Sequence, residues 1–469
     1  SLYDPGRLEK PTRGPESLSW ETVDRIVIDA MRASDARVLL VTKSTLGPSE
    51  QRLLAALKKR MGARLEHVVH ETADDLPRQR AWSSIYGEDE RVRYDLAKAG
   101  VVFSLDSDFL GNDGDSLTSI GRFAKRRKVD GDPKASDLNR LYVAESAMTV
   151  TGSNADHRIP LRPTHALRLA QALTKAVAGD AGALKALAAE AHLDAEVLAA
   201  AASDLAAHRG KAVVMAGGHL PEAVHAAVAL LNEDLKAPYA RDKITQAVTS
   251  LDREPDQLRK ALAKQPSVVL LLGVNVVYDL PGTEAALEKS TLVAAHGLTK
   301  DETLSMATLA LPSAHNLESW NDAQDTESVV GIVQPLVRPL FDGRQEAESL
   351  LRWAQGLYPD DPTWKGVEDW HAFVRRGLES TVLSAKFGWE DALRKGWIFA
   401  PPGRAMMNPD RQKAETLTRW SGRASDGNVD LVVLPDPGLY DGRFAGNAWL
   451  QETPDPVSKL VWDTAAIVG

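Results

Sequence analysis

The chain has 469 residues, 43% hydrophobic and 26% charged, with a formal net charge of −9, the composition of an ordinary globular protein long enough for two or three domains. The acidic balance argues against a nucleic-acid role, which needs a basic surface, and no apolar run reaches the roughly 18 residues of a membrane span. Cysteine is absent, which removes disulfides, thiolate metal sites, iron–sulfur ligation and cysteine nucleophiles together.

Residues 1–19 are rich in Pro, Gly and charge and read as an extended lead-in; the chain opens on Ser1 and no signal peptide is expected. Trp20 to Arg32 has the spacing of an amphipathic helix, and Val38 to Thr42 is an apolar strand. Pro48 stands where a helix favours proline, Gly62 closes that helix, and Leu65 to Val69 is the next strand. This βαβ unit implies a parallel sheet with right-handed crossovers. Further short buried strands are expected at Val101–Leu105, Leu141–Val143, Val213–Ala216, Val268–Leu272, Leu292–Ala295 and Thr308–Leu311. Thr164 to His208, rich in Ala and Leu, reads as two or three packed helices. The alternation predicts an open, doubly wound α/β architecture.

Several local patterns resemble sites. Gly114-Asp115-Ser116-Leu117-Thr118 spells the nucleophile motif of GDSL esterases, and would make the chain a hydrolase. That motif needs its serine at a strand end and a later Asp-x-x-His, and the chain has no Asp-x-x-His. His67 and His70 are three apart in a strand and so face opposite sides. His315 beside Glu318 reads as a satisfied polar pair. Lys125-Arg126-Arg127-Lys128 reads as a solvated basic face. Val213-Val214-Met215-Ala216-Gly217-Gly218-His219-Leu220-Pro221 is a strand, a Gly-Gly turn and a helix start, which can offer backbone N–H groups to a phosphate. It falls short of the full dinucleotide fingerprint, and a tight βα turn is its plainer reading.

Three segments run in a telling order: Val101-Val102-Phe103-Ser104-Leu105-Asp106-Ser107-Asp108, then Leu141-Tyr142-Val143-Ala144-Glu145 through Asn154-Ala155-Asp156-His157-Arg158, then Leu309-Ala310-Leu311-Pro312-Ser313-Ala314-His315-Asn316. The series resembles the large subunit of molybdopterin oxidoreductases, the dimethyl sulfoxide reductase family. Within that family it resembles most the TAT-variant-translocated branch of alternative complex III. The resemblance covers most of this chain but only the middle of a family member.

The resemblance implies two doubly wound Rossmann-like domains, one inserted in the other. Mapped here, residues 20–98 and 210–400 form the discontinuous domain and residues 99–209 the insertion. Residues 401–469, with Asp441-Gly442-Arg443-Phe444-Ala445-Gly446-Asn447, lead toward a C-terminal barrel domain. Family members bind molybdopterin guanine dinucleotide and a four-iron four-sulfur cluster. Gly217, Gly218, Gly273 and Asn275 are the candidate cofactor-binding residues, lining a vestigial cleft. Asp106 and Asp108 stand where the family usually has Gly and Asn, and acids there repel a pyrophosphate. Ser83 and Ser84 fall where the family places its molybdenum ligand. No catalytic or metal-binding residue is assigned.

The expected function is therefore a cofactor-free, molybdopterin-oxidoreductase-like segment of a quinol-oxidising respiratory complex on the periplasmic side of the membrane. It would act as a scaffold for a ferredoxin-like iron–sulfur domain or subunit, a multihaem cytochrome c subunit and an integral-membrane quinol-binding subunit. The alternative is the catalytic core of a true bis-pterin molybdenum enzyme. Trp449, Leu450, Leu460 and Trp462 are expected on an exposed docking surface.

Overall fold

The computed structural model describes residues 2–44, 47–87, 90–129, 138–243, 256–326, 328–384, 387–399, 408–419, 429–463 and 465–466. The chain divides into two units: residues 1–72 with 243–403, and residues 73–242 with 404–469.

The first unit is built on a seven-stranded sheet. Its order is Glu16–Ser17, Thr12–Arg13, Leu309–Pro312, Leu292–Gly297, Val268–Leu272, Val38–Thr42, Leu65–Val69. The last five strands are parallel, with Leu40 level with Leu270 on one side and His67 on the other. The central strands are unbroken apolar runs, as expected where helices cover both faces. Helix Trp20–Arg32 buries Val23, Val27 and Met31 at four-residue spacing, and Ser19 caps it by accepting from the Thr22 N–H at 3.2 Å. Pro48 opens the helix ending at Met61, and Gly62 follows with φ +56°. Trp353, Trp364 and Trp370 lie in the core on the same side as Val23 and Val27.

The first 19 residues do more than lead in. Thr12 pairs antiparallel with Ala310 at the edge of the parallel array. Arg7 is buried and bonded to Glu318 at 2.7 Å. The segment reads as irregular because its pairing strands are only two residues long.

The second unit carries a four-stranded parallel sheet in the order His157–Pro160, Arg140–Glu145, Val101–Leu105, Ala212–Ala216. Phe103 is level with Tyr142 and with Val214. Helices Ala166–Val177, Gly182–Glu190 and Ala195–Ala207 cover one face through Leu169, Leu173, Leu187, Leu198 and Leu205. Helix Leu76–Tyr86 packs Trp82, Ile85 and Tyr86 against Ala226, Ala229 and Ala414.

This arrangement corrects the domain boundaries expected from the resemblance. The resemblance puts Val213–Ala216 in one domain with Val38–Thr42; instead it pairs with Val101–Leu105. The physical reason is local: the three Ala/Leu helices return the chain directly to the sheet they cover, so residues 210–242 stay with that sheet. Residues 404–469 also belong to the second unit, anchored by Ala414 in the core and by Asp430, which accepts from Arg162 at 2.9 Å and from Thr164 at 2.9 Å.

Candidate functional site

In open α/β sheets a ligand site lies outside the C-terminal ends of the strands, where the strand order reverses. In the second unit that reversal falls between Val101–Leu105 and Ala212–Ala216, so the crevice lies beside Asp106 and Gly217. Asp106 takes the left-handed conformation at φ +53°, which is uncommon for a residue with a side chain. Its carboxylate compensates by accepting from the Ser146 N–H at 3.1 Å and the Ser146 hydroxyl. A Cβ on Gly217 would overlap the Asp106 carbonyl oxygen and press on the His219 ring at 2.8 Å. The space a glycine leaves for a ligand is thus taken up by this chain's own backbone.

The rest of the crevice is filled in the same way. Gly218 donates its N–H to Asp113 Oδ1 at 3.3 Å. Arg78, with a side chain 9% exposed, lies 2.9 Å from Asp113 Oδ1 and 2.8 Å from Asp75 Oδ2. Burial would lower the Arg78 pKa, but Asp113 and Asp75 outweigh it and hold the guanidinium charged. Asp75 is likewise held below its usual value: burial opposes this, and Arg78 prevails. Asp108 accepts from the Thr151 N–H at 2.9 Å. Glu145, at the end of the next strand, accepts from Thr149 at 2.7 Å and Arg158 at 2.5 Å. Burial nonetheless raises its pKa, with Thr149 and Arg158 opposing the rise.

Gly273 and Asn275 belong to the first unit, past the end of Val268–Leu272, where that sheet reverses. Gly273 has φ +67°, and a Cβ there would meet only Glu346 Oε1, at 3.5 Å. Asn275 is spent within the fold. Its Oδ1 accepts from the Thr303 hydroxyl at 2.7 Å, and its Nδ2 donates to Glu302 at 2.7 Å. The four expected cofactor-binding residues therefore divide as two pairs, one on each unit.

No family model and no curated protein matches the sequence. Among solved structures, acetylene hydratase from Pelobacter acetylenicus is similar, with a TM-score of 0.66 at 12% identity, over 86% of this chain and 67% of that one. Acetylene hydratase is a molybdoenzyme of the dimethyl sulfoxide reductase family. This chain has a molybdopterin-oxidoreductase fold. The Asp106 carbonyl occupies the close-approach space at Gly217, and the Gly218 N–H already serves a carboxylate.

The remaining patterns resolve as local structure within the molybdopterin-oxidoreductase fold. Asp115 of the GDSL run is a helix N-cap accepting from the Thr118 N–H, and Ser116 is the first helical residue. His67 bonds the Thr42 hydroxyl at 2.9 Å, while His70 lies 3.3 Å from Asp279. Ser83 and Ser84 lie within helix Leu76–Tyr86 of the second unit. Arg127 of the basic run is bound by Asn139 at 2.6 Å and Asp156 at 2.5 Å. Among the described residues, no three His, Asp or Glu side chains are grouped to hold a metal ion, and no helix is long and apolar enough to cross a membrane. A groove of about 590 Å³ is lined by helices Trp20–Arg32 and Glu346–Leu357 and by Arg344; most of its charges pair within the fold, as Arg344 with Asp24 at 2.7 Å.

Arg78 and Asp113 were missed by sequence reasoning. They are single charged residues 35 positions apart, with no motif around either. The one available signal was Asp106, an acid in a place where the fold favours glycine.

Proposed function

We propose that this chain is a cofactor-free scaffold segment of a quinol-oxidising respiratory complex of the alternative complex III type, facing the periplasm. It docks electron-carrying neighbours: a ferredoxin-like iron–sulfur domain or subunit, a multihaem cytochrome c and an integral-membrane quinol-binding subunit. The observation that carries the reading is the apolar flank of the second unit. Val429, Leu431 and Val433 alternate with half-buried Asp430 and Val432, and all three are solvent-exposed, Leu431 to 88%. Trp449, at 81%, Val461 and Trp462 are exposed on the same unit. Contiguous exposed apolar surface is the usual mark of an interaction site. The filled crevice at Gly217 supports the cofactor-free half of the reading, as does a sequence without thiolates.

Electron transfer depends steeply on distance and orientation between carriers, so a rigid body that fixes its neighbours has a function without chemistry of its own. The test is elemental analysis of the native complex, subunit by subunit, with photo-crosslinking from position 431. The reading expects no molybdenum or tungsten with this chain and a crosslink to an iron-bearing neighbour. Stoichiometric molybdenum or tungsten on this chain would instead make it a catalytic core.

A further inference from the structure

The segment between strand Val101–Leu105 and helix Ser116–Lys125 does not merely connect them. It leaves the strand through Asp106, turns back on itself with the Asp113 N–H bonded to the Asp108 carbonyl at 3.0 Å, and ends at Gly114 with φ +66°. This fold-back brings the Asp113 carboxylate to the Gly217–Gly218 turn. Three donors converge on it: Arg78 Nη1 at 2.9 Å, the Gly218 N–H at 3.3 Å, and the Ser107 hydroxyl. A guanidinium, a glycine N–H at a strand-to-helix turn and a hydroxyl are the donor set that binds an oxyanion. Behind them Arg78 is fixed by Asp75 through Nε at 3.2 Å and Nη2 at 2.8 Å, and lies over the Trp82 ring at 5.6 Å. The guanidinium is thus held in place, with Nη1 turned to Asp113.

We infer that residues 108–115 form a built-in plug, in which the Asp113 carboxylate fills an oxyanion site at the Gly217–Gly218 turn and closes the crevice of this unit from within. The inference rests on the cofactor-free reading and gives it a residue-level cause. The site is formed, and its anion is covalently part of the chain. An internal carboxylate has an effective concentration that a free phosphate does not match. Removing that carboxylate takes away the acceptor shared by Arg78 Nη1, the Gly218 N–H and the Ser107 hydroxyl, while Asp75 still holds Arg78 in place, and a small free anion then restores what was lost.

Thermal unfolding of the full chain tests this. Asp113→Ala is expected to lower the melting temperature by about 10 °C. Formate or acetate should recover at least half of that loss, and chloride at equal ionic strength should not. Asp113→Asn preserves the volume, so it should fold with a smaller loss and no recovery by formate. In Arg78→Met with Asp113→Ala the recovery should vanish. The wild-type chain should show no saturable shift with pyrophosphate or guanosine diphosphate. A saturable shift of the wild type with either would overturn the plug, and so would Asp113→Ala as stable as the wild type or equally responsive to chloride. Should Asp113→Ala fail to fold, the Asn variant and the wild-type titrations still decide. Failure of the scaffold reading is seen separately, as metal on this chain in the native complex.

Discussion

Arg7 and Glu318 lie 2.7 Å apart, and each side chain is 1% exposed. The pair ties the first residues of the chain to the loop after strand Leu309–Pro312. Glu318 also accepts from the backbone N–H groups of His315 at 2.7 Å and Leu340 at 2.9 Å. Burial pushes its pKa up, but Arg7 and these N–H groups prevail and hold it at about 2, against an ordinary 4.5. The unfolded chain therefore takes up a proton that the folded chain refuses. The stability from this pair is present above about pH 4.5 and is lost as pH falls toward 2. Arg7→Ala leaves a buried carboxylate without its main partner and should cost about 3–5 kcal/mol at pH 7. Urea unfolding at pH 7 and pH 3 checks this, with a much smaller difference between wild type and variant at the lower pH.

The glycines of the two crevices should behave differently. Gly217→Ala drives a methyl into the Asp106 carbonyl and should destabilise the chain by about 3 kcal/mol or more. Gly273→Ala meets nothing nearer than Glu346 at 3.5 Å and bears only the strain of its positive φ, about 1–2 kcal/mol. Denaturant midpoints of the two variants provide the comparison.

Three histidines set a second pH dependence. Burial pulls His67, His225 and His296 down to about 3, helped by Lys58, Arg78 and Arg344 respectively. Unfolded histidines protonate near 6.5, so these sites contribute stability above that value and lose it as pH falls toward 3. His296 is held between Trp20, stacked at 5.8 Å, and the Ser349 hydroxyl at 3.0 Å. His296→Gln should flatten the decline in stability between pH 6.5 and 4, read as the slope of unfolding free energy against pH.

The apolar flank should separate folding from assembly. Leu431→Asp and Trp449→Ala change exposed side chains, and each should leave stability within about 0.5 kcal/mol of the wild type. Under the proposed function, both should reduce recovery of partner subunits with the native complex. Calorimetry and co-purification read the two effects independently.

Much of the fold could be read along the chain because parallel strands buried on both faces leave a strong mark. Val38-Leu39-Leu40-Val41 and Val268-Val269-Leu270-Leu271-Leu272 are unbroken apolar runs, and Pro48 and Gly62 bracket the helix between the first pair of strands. Such runs do not state their neighbours. Nothing in Val213-Val214-Met215-Ala216 marks it as the partner of Phe103 rather than of Leu40, and the domain boundary shifted for that reason. The crevice was half legible. The turn at Gly217 and Gly218 was visible, and so were the acids at 106 and 108. The groups that fill it, Arg78 on a helix and Asp113 on a loop, lie far apart in the sequence, and only the folded backbone brings them together.

The division of the first unit into two stretches of sequence has a consequence for how the protein is made. Strand Val38–Thr42 lies beside Val268–Leu272, and the Arg37 N–H reaches the Ser267 hydroxyl across 230 residues. At ordinary rates of translation the ribosome takes roughly 10 to 50 s to cover that interval. Throughout it, the nascent chain holds an apolar strand with one side unpaired, while the four-stranded sheet of the second unit is completed by Ala216. The sheet of the second unit is thus complete in sequence before the first unit's sheet can close, although Ala414 joins the second unit's core only later. During synthesis the Val38–Thr42 edge is where a holding chaperone has most to protect.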